Sequence, residues 1–346
     1  MNRRDFLQTI PALTAALALS SCATRAAKEA RDGRQVMTVR GRINAREMGV
    51  TLTHEHMLAN FQPYEEWARQ PRTYDRDEVV EKVLPHLTRI RELGCKTFVD
   101  ATAVGLGRDV ALLRRVSESS GLHVLTVTGN YAAIQYRQLP PHVYTDSPEA
   151  LARRWIQEWN TGIDGTDVRP GFIKLGFNGE RLSEVEKKLI RAGAIAHRET
   201  GLTIGAHTGP AVAAFEQLAI LDESGIQPSA WIWIHAQNEP DLARHAEAAR
   251  QGAWVSFDGV GPESVGAHVE RVINLRDQGL LHRALVSHDA GWYAVGEPRG
   301  GVFRPFDTVF TSFIPALRAK GFTQAEIDML FVDNPANAFS IARRTS

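Results

Sequence analysis

Val50-Thr-Leu-Thr-His54-Glu-His56 joins a short apolar run to a pair of histidines. Successive side chains of a strand point to opposite faces, so His54 and His56 should project together, and Glu55 should point away from them. An open doubly wound sheet, the competing fold, would carry a glycine-rich phosphate loop after its first strand, and this chain carries histidines there instead. The pattern therefore favours an α/β fold of the (β/α)8 type, the TIM barrel.

Further apolar runs follow along the chain, and amphipathic stretches separate them. One such stretch begins with the helix-capping signal Ser183-Glu-Val-Glu186 and ends at Gly201. Strands and helices that alternate in this way predict a closed parallel barrel. Residues 290–306, the longest unpatterned stretch, are predicted to be an active-site loop. The eight predicted strands are 50–53, 97–100, 124–128, 171–175, 202–206, 231–234, 254–258 and 284–287.

The N-terminal residues 1–22 have the features of an export signal. Arg3-Arg4 resembles the twin-arginine motif, and Leu19-Ser-Ser-Cys22 resembles a lipobox, whose cysteine is lipidated after cleavage. The alternative is an uncleaved helix, but the apolar run 9–19 is shorter than the roughly 20 residues that span a bilayer. We expect an exported protein that is either periplasmic or anchored at the outer membrane by a lipid on Cys22.

The length and charge of the chain limit its function. Its 346 residues fit one barrel of about 250 residues with added loops, so a second domain is not required. We assign residues 23–35 to a flexible tether and residues 36–346 to the barrel. Basic and acidic residues number 40 each, so no net charge attracts nucleic acid or anionic lipid. The expected partner is a small-molecule substrate, with no nucleic acid.

Ligand-type side chains recur where the predicted strands end. His207 follows the fifth strand, His235 follows the sixth, and Asp289 lies just past the eighth. In a barrel these ends meet at one mouth, where the active sites of this fold lie. A His-x-His pair alone is weak evidence, since many histidines are simply partly buried. Together with His54 and His56, the three residues predict a metal site.

Lys174 lies inside the apolar strand 171–175, where a charged ammonium is costly to bury. A desolvated lysine has a lowered pKa and can react with carbon dioxide. The resulting carbamate would offer two oxygens to a pair of cations. The alternative is a structural role, in which the ammonium extends to the barrel rim or pairs with a carboxylate.

The span from about residue 36 to residue 339 resembles the phosphotriesterase-related family of the amidohydrolase superfamily. All six metal-ligand positions of that family are occupied in this sequence. The motifs that carry the resemblance are Gly49-Val-Thr-Leu-Thr-His54-Glu-His56, Phe172-Ile-Lys174, Gly205-Ala-His207-Thr, Trp233-Ile-His235, Val286-Ser-His-Asp289 and Asp333-Asn-Pro-Ala-Asn-Ala-Phe339.

The resemblance implies a centre of two divalent metal ions, with zinc expected and manganese or cobalt as alternatives. Carbon dioxide would convert Lys174 to N6-carboxylysine, which bridges the ions. A hydroxide shared by the ions would be the nucleophile, and Asp289 would act as the catalytic proton acceptor. The implied ligands are His54, His56 and Asp289 for the more buried ion, and His207 and His235 for the more exposed one.

The sequence departs from the family pattern next to this centre. Phosphotriesterases of the family have a proton relay of one histidine and one aspartate, and this chain has Gly259 and Asn238 at those positions. Tyr131 matches a tyrosine of the family's lactonases, but Gly259 does not supply their arginine. Turnover of phosphotriesters should therefore be weak, and the resemblance to lactonases is incomplete.

Several aromatic and basic residues are candidates for the pocket wall. Tyr131 and Trp292 are predicted to bind substrate, and Tyr293 and Arg304 of the eighth loop are further candidates. The alternatives are that Tyr131 only fills the core and that the loop residues lie on the surface.

The resulting hypothesis is a binuclear metal-dependent hydrolase of ester-type bonds. Carboxylic esters or lactones are the expected substrates, and phosphotriesters are a side activity. One alternative is an amide or phosphodiester hydrolase of the same superfamily, and another is a non-catalytic lipoprotein that binds a ligand. Members of the family are often homodimers, although no residue of this chain indicates a dimer.

Overall fold

The structure is a computed structural model that describes residues 33–70 and 72–346. The strands of the described part are β1 (Gln35–Thr38), β2 (Gly41–Asn44), β3 (Thr51–Ala59), β4 (Thr97–Asp100), β5 (His123–Leu125), β6 (Val127–Thr128), β7 (Phe172–Gly176), β8 (Ile204–His207), β9 (Trp231–Ile234), β10 (Trp254–Phe257), β11 (Ala284–Val286) and β12 (Gly291–Ala294). The α-helices are α1 (Tyr64–Arg69), α2 (Arg76–Glu92), α3 (Val110–Ser120), α4 (His142–Thr145), α5 (Pro148–Thr161), α6 (Glu184–Thr200), α7 (Ala211–Glu223), α8 (Leu242–Gln251), α9 (Val265–Asp277), α10 (Ile314–Ala319), α11 (Gln324–Asp328) and α12 (Asn334–Phe339).

The strands β3 to β11 form a closed parallel barrel. Thr126 interrupts one barrel strand, whose two halves are β5 and β6. Neighbouring barrel strands pair in parallel in chain order, with β5 on β4 and β6 on β7. The barrel closes where β3 meets β11 and β12. There the Asp289 amide donates to the His54 carbonyl at 3.0 Å, and β12 pairs with β3. The prediction of a TIM barrel is confirmed.

The predicted strands are all found, although several bounds differ. β3 runs to Ala59, so His54 and His56 lie inside this strand and not at its end. The predicted helix after β7 is confirmed as α6. Ser183 caps its start and Gly201, with a left-handed φ of 75°, caps its end.

The interpretation of residues 290–306 as an unpatterned loop is wrong for the first part of the segment. Gly291–Ala294 form β12, and Pro298–Gly300 form a 3-10 turn. Sequence periodicity misses β12 because the strand is short and begins at a glycine with a left-handed φ of 92°. The strand continues the β3 pairing beyond the barrel and so places the rest of the segment beside the mouth.

The end of the barrel opposite this mouth is closed by apolar packing. The hairpin β1–β2 lies there, and Val36 and Met48 pack in one cluster with Phe339 and with inward-facing strand residues such as Phe172. The Thr97 hydroxyl donates to the Met48 carbonyl at 2.6 Å and ties this region to the start of β4. Ligands can therefore approach the strands from the C-terminal mouth.

The predicted export signal at 1–22, the lipidation site Cys22 and most of the predicted tether lie outside the described residues. Gln35, the last residue assigned to the tether, already belongs to β1. Within the described part, no helix has the length and apolar character needed to cross a membrane.

Candidate metal centre

One cavity at the C-terminal mouth brings together every residue predicted to bind metal and both residues predicted to bind substrate. It has about 410 Å³ of empty space. Its lining residues are His54, His56, Ala59, Phe61, Thr102, Leu106, Tyr131, Ile134, Lys174, His207, His235, Asp289 and Trp292.

His56 is oriented by a hydroxyl from the neighbouring loop. Its Nδ1 lies 2.8 Å from Thr102 Oγ1, and that hydroxyl donates to the Leu58 carbonyl at 3.3 Å. With the hydroxyl proton directed to this carbonyl, Nδ1 of His56 acts as the donor in the 2.8 Å contact. The lone pair of Nε2 then faces the cavity, where it lies 3.1 Å from Asp289 Oδ1. Such a hydrogen bond on the far ring nitrogen is usual for a histidine that binds a metal.

Asp289 is held in a left-handed backbone conformation, with a φ of 53°. The buried carboxylate of Glu55 fixes the residues on both sides of it. This carboxylate accepts hydrogen bonds from Ser287 Oγ at 2.7 Å, from the His288 amide at 3.0 Å and Nδ1 at 2.6 Å, and from the Ala290 amide at 2.9 Å. The direction of the Asp289 side chain is therefore set by buried hydrogen bonds.

Asp258, at the end of β10, was not among the predicted site residues. Its fully buried carboxylate accepts a hydrogen bond from His235 Nδ1 at 2.6 Å and lies 3.4 Å from His54 Nδ1. Burial alone would raise the pKa of Asp258, but the two imidazoles hold it well below its usual range. The signal available in the sequence was its position at the end of a predicted strand, like the other ligands.

His207 has a polar partner on each ring nitrogen. Asn178 Oδ1 lies 3.2 Å from Nε2, and the Tyr131 hydroxyl lies 2.9 Å from Nδ1. Because the amide oxygen can only accept, Nε2 carries the proton and the lone pair of Nδ1 faces Tyr131. The His207 ring centroid is 4.2 Å from that of His235, so the two rings form one wall of the cavity.

Lys174 is only 1% exposed and does not reach the rim. Among the described residues its ammonium has no hydrogen bond and no carboxylate within ion-pair distance, so neither structural alternative for this lysine is observed. Its Nζ lies 5.9 Å from the Tyr131 ring centroid. Burial lowers the pKa of Lys174 to about 8, which makes the neutral, reactive amine accessible near physiological pH.

The donor set fits divalent metal ions. Ligand atoms of His54, His235 and Asp289 all lie within 4.8 Å of one another. Within the described residues, Asp289 Oδ1 is buried without a hydrogen-bond partner, which is costly unless a cation or water satisfies it, and His54 Nε2 lies 3.6 Å from this oxygen. Burial lowers the pKa of His54 to about 3, so its imidazole is neutral and able to donate a lone pair. Imidazole nitrogens with carboxylate oxygens are ligands that zinc prefers.

The remaining predicted residues lie around this centre or outside it. Trp292 stands at the mouth, 5.1 Å from the His56 ring centroid, and stacks on Phe61. The prediction of Tyr293 as a pocket wall is wrong, because its side chain is buried and its hydroxyl donates to Glu78 at 2.6 Å. Gly259 and Asn238 do not line the cavity.

A side chain at position 259 would meet the ends of two neighbouring side chains. A Cβ atom there would lie 2.9 Å from the Gln237 amide nitrogen and 3.3 Å from His268 Nε2. The Gln237 amide donates to Asp258 at 3.0 Å, so the space of a relay side chain is taken by a different hydrogen bond.

The fold and the site define a (β/α)8 barrel with a candidate metal centre at its C-terminal mouth. More particularly, the chain belongs to the Phosphotriesterase family, whose profile matches residues 34–339. The family resemblance drawn from the motifs is confirmed, and members of this family generally depend on two metal ions.

Individual relatives support the same placement. The chain is 30% identical to a Phosphotriesterase homology protein of Escherichia coli, with 84% of this chain and 98% of the relative covered. It is 28% identical to an Aryldialkylphosphatase of Saccharolobus solfataricus, with 86% and 97% covered. It is 26% identical to an N-acetyltaurine hydrolase of Danio rerio, with 87% and 96% covered. The family and these names indicate a hydrolase.

Proposed function

We propose that this chain is a binuclear metal-dependent hydrolase that acts on carboxylic esters or lactones. The observation that carries the proposal is the set of six ligand-type side chains around one cavity whose outer wall is largely apolar. An apolar wall with a few convergent polar groups suits an uncharged acyl group better than a strongly hydrated one.

Each residue has a distinct part in this proposal. Two divalent cations, with zinc as the first candidate, would supply Lewis acidity and an activated water. His54, His56 and Asp289 would hold one cation, His207 and His235 the other, and Lys174, carboxylated by carbon dioxide, would lie between them. Asp289 would also accept a proton through its carboxylate, and Asp258 would keep the His235 ring in place. Tyr131 would contact the substrate.

The same cavity bears on two other reactions, the hydrolysis of phosphotriesters and the hydrolysis of amides. Phosphotriester hydrolysis would be a weak side activity, because Gly259 and Asn238 provide no proton relay, although one relative is named Aryldialkylphosphatase. Amide hydrolysis is the second candidate, because several relatives are named N-acetyltaurine hydrolase and the same centre suits an amide carbonyl.

The test uses the protein loaded with zinc or manganese in the presence of bicarbonate. A panel of aryl esters, lactones, N-acetyl amides and phosphotriesters should show turnover that is highest for an ester or lactone. Active protein with almost no bound metal would contradict the proposal. Lys174→Ala separates a hydrolase from a ligand-binding protein, because it should abolish turnover; unchanged function in this variant would favour simple binding.

We also propose that the chain is exported and lipidated at Cys22. The support is the sequence of residues 1–22, with its arginine pair and lipobox-like end. Cell fractionation of the full chain and its Cys22→Ala variant tests this, since loss of the acyl group should move the protein from the membrane to the soluble periplasmic fraction.

A further inference from the structure

Arg304 does not itself line the cavity, but its backbone and its side chain hold it next to Trp292, which does. Its amide and carbonyl exchange hydrogen bonds of 3.0 Å with Gly291, two residues after Asp289. Its guanidinium donates to the Asp289 carbonyl, and its central carbon lies 5.0 Å from the Trp292 ring centroid. Because Trp292 lines the cavity, these contacts keep the guanidinium close to the mouth.

The charge of Arg304 is not neutralised by the protein. In the described ranges 33–70 and 72–346 it has no carboxylate within ion-pair distance, whereas Arg76 pairs with Asp109 and Arg108 pairs with Glu158, each at 2.7 Å. A guanidinium has five N–H donors, and the Asp289 carbonyl uses one side of the group. Arg304 is exposed, so the remaining donors are available to a ligand.

Apart from Lys174 and the proposed metal ions, the described residues that line the cavity offer no cationic group to an anionic substituent. The cavity wall beyond the candidate metal ligands includes the apolar side chains of Phe61, Leu106 and Ile134. A substrate would therefore place an apolar acyl part against these residues, and the nearest cationic side chain for an anionic substituent would be the one beside the mouth. The guanidinium of Arg304 binds the main-chain carbonyl of Asp289, so it is separated from the Asp289 carboxylate by the length of one residue. An anionic group a few bonds from the cleaved bond could span it.

We propose that Arg304 makes this site selective for substrates whose leaving group carries a carboxylate or a similar anionic oxygen group. The inference rests on the proposed function and adds the substrate class. Arg304 is a specificity residue here, because it would bind the substrate away from the reacting bond. Charge-assisted hydrogen bonds of this kind are strong and directional.

The test follows release of the acetyl group from two aryl acetates whose para substituents differ in charge, 4-acetoxybenzoate and its methyl ester. The methyl ester also has the better phenol leaving group, so the readout is the change of their kcat/KM ratio between variants. With metal-loaded wild-type protein, kcat/KM should be higher for the anionic ester. In Arg304→Gln this preference should fall about tenfold, mainly through a higher KM for the anionic ester, and metal analysis shows whether loss of the contact with the Asp289 carbonyl also affects the centre. Arg304→Lys should retain part of the preference. Arg299→Gln, an exposed arginine of the same segment that lies away from the cavity, is the matched control and should behave as wild type.

The outcomes separate this inference from the proposed function. If wild-type protein hydrolyses the methyl ester and Arg304→Gln leaves the charge preference unchanged, the role of Arg304 is overturned and the hydrolase remains. If wild-type protein hydrolyses neither ester, these aryl acetates are not its substrates, and calorimetric binding of 4-acetoxybenzoate to the metal-loaded proteins decides about Arg304. Binding about tenfold weaker in Arg304→Gln supports the inference. Equal affinities, or no measurable binding to either protein, overturn it.

Discussion

Two parts of the cavity hold their candidate ligands in different ways. One is the seam, where β3 meets β11 and Glu55 supports Asp289. The other is the wall, which the rings of His207 and His235 form. At the seam, Glu55 is fully buried and accepts hydrogen bonds from Ser287, His288 and Ala290, the residues on both sides of Asp289. At the wall, His207 is only partly buried, and each of its ring nitrogens has one polar partner, Tyr131 or Asn178.

The difference suggests that one side of the centre is formed before metal binds and the other adapts to it. A buried network whose groups are all satisfied allows few alternative conformations. The lone pair of His207 Nδ1, by contrast, faces the Tyr131 hydroxyl, which a cation at this nitrogen would have to displace. Removing a seam contact should therefore cost both stability and metal affinity, and removing a wall contact should change metal affinity alone.

The largest effects are expected at Lys174, which lies between the two sides. In protein prepared with metal and bicarbonate, Lys174→Met should lose at least one metal ion and reduce activity by on the order of 10³-fold, since a substituted centre cannot stabilise the reaction electrostatically. Metal analysis and turnover measure this. Retention of two ions per chain would contradict the assignment of Lys174 as a ligand.

The same variant should be more stable than wild type when metal and bicarbonate are absent. Burial lowers the pKa of Lys174 from 10.5 to about 8, which corresponds to roughly 3 kcal/mol of lost folding free energy. The unfolded chain keeps the proton up to pH 10.5, so the penalty is complete below about pH 8 and disappears as the pH rises towards 10.5. Urea unfolding should show the gain at pH 7 and little gain near pH 10.5. A less stable variant at pH 7 would show that the ammonium is not unfavourable.

At the seam, Glu55→Gln tests whether the network sets the direction of Asp289. The amide keeps the shape but replaces one acceptor oxygen by a donor, so some of the four hydrogen bonds must be lost. We expect unfolding to become easier by about 3 kcal/mol and metal affinity to fall about 10- to 100-fold. Glu92→Gln, an exposed glutamate at the end of α2, is the matched control and should change stability by less than about 0.5 kcal/mol. Normal metal affinity in a destabilised Glu55→Gln would limit the seam to a structural role.

The sequence was sufficient to place the candidate ligands but not their supports. The strand period of two puts His54 and His56 on one face, and the barrel brings strand ends to one mouth, so both features could be predicted without coordinates. The orienting residues Thr102 and Asn178 follow their strands in loops, where no periodicity fixes the direction of a side chain. Which loop residue meets which histidine depends on packing.

Glycine and aspartate positions show the same limit. The sequence shows that Gly259 departs from the family pattern. It does not show that the space beside Gly259 holds the Gln237 amide, which binds Asp258 from a neighbouring βα loop. Asp258 itself ends a predicted strand, yet nothing in its own sequence context distinguishes a ligand from a carboxylate that orients histidines. Only the 2.6 Å contact with His235 does so.

Asp258 contacts histidines of both sides, so Asp258→Asn should have an intermediate effect. The asparagine keeps the volume but removes the charge that holds the protonated Nδ1 of His235. We expect metal affinity to fall about tenfold for both ions together, within the range usual for residues that support metal ligands. Metal titration followed by calorimetry measures this. A loss confined to the ion held by His235 would show that the contact with His54, at 3.4 Å, has no energetic role.

The smallest effects are expected at the wall, and two substitutions there should have opposite signs. Asn178→Ala removes the acceptor that keeps the proton on His207 Nε2, so metal binding at Nδ1 should weaken about fivefold, as for the loss of about 1 kcal/mol. Tyr131→Phe removes the hydroxyl that competes for Nδ1, so metal binding should strengthen by a similar factor even if substrate turnover falls. Neither variant should change the stability of the metal-free protein by more than about 1 kcal/mol. If both substitutions weaken metal binding, Tyr131 supports the bound ion instead of competing with it, and the wall is as preformed as the seam.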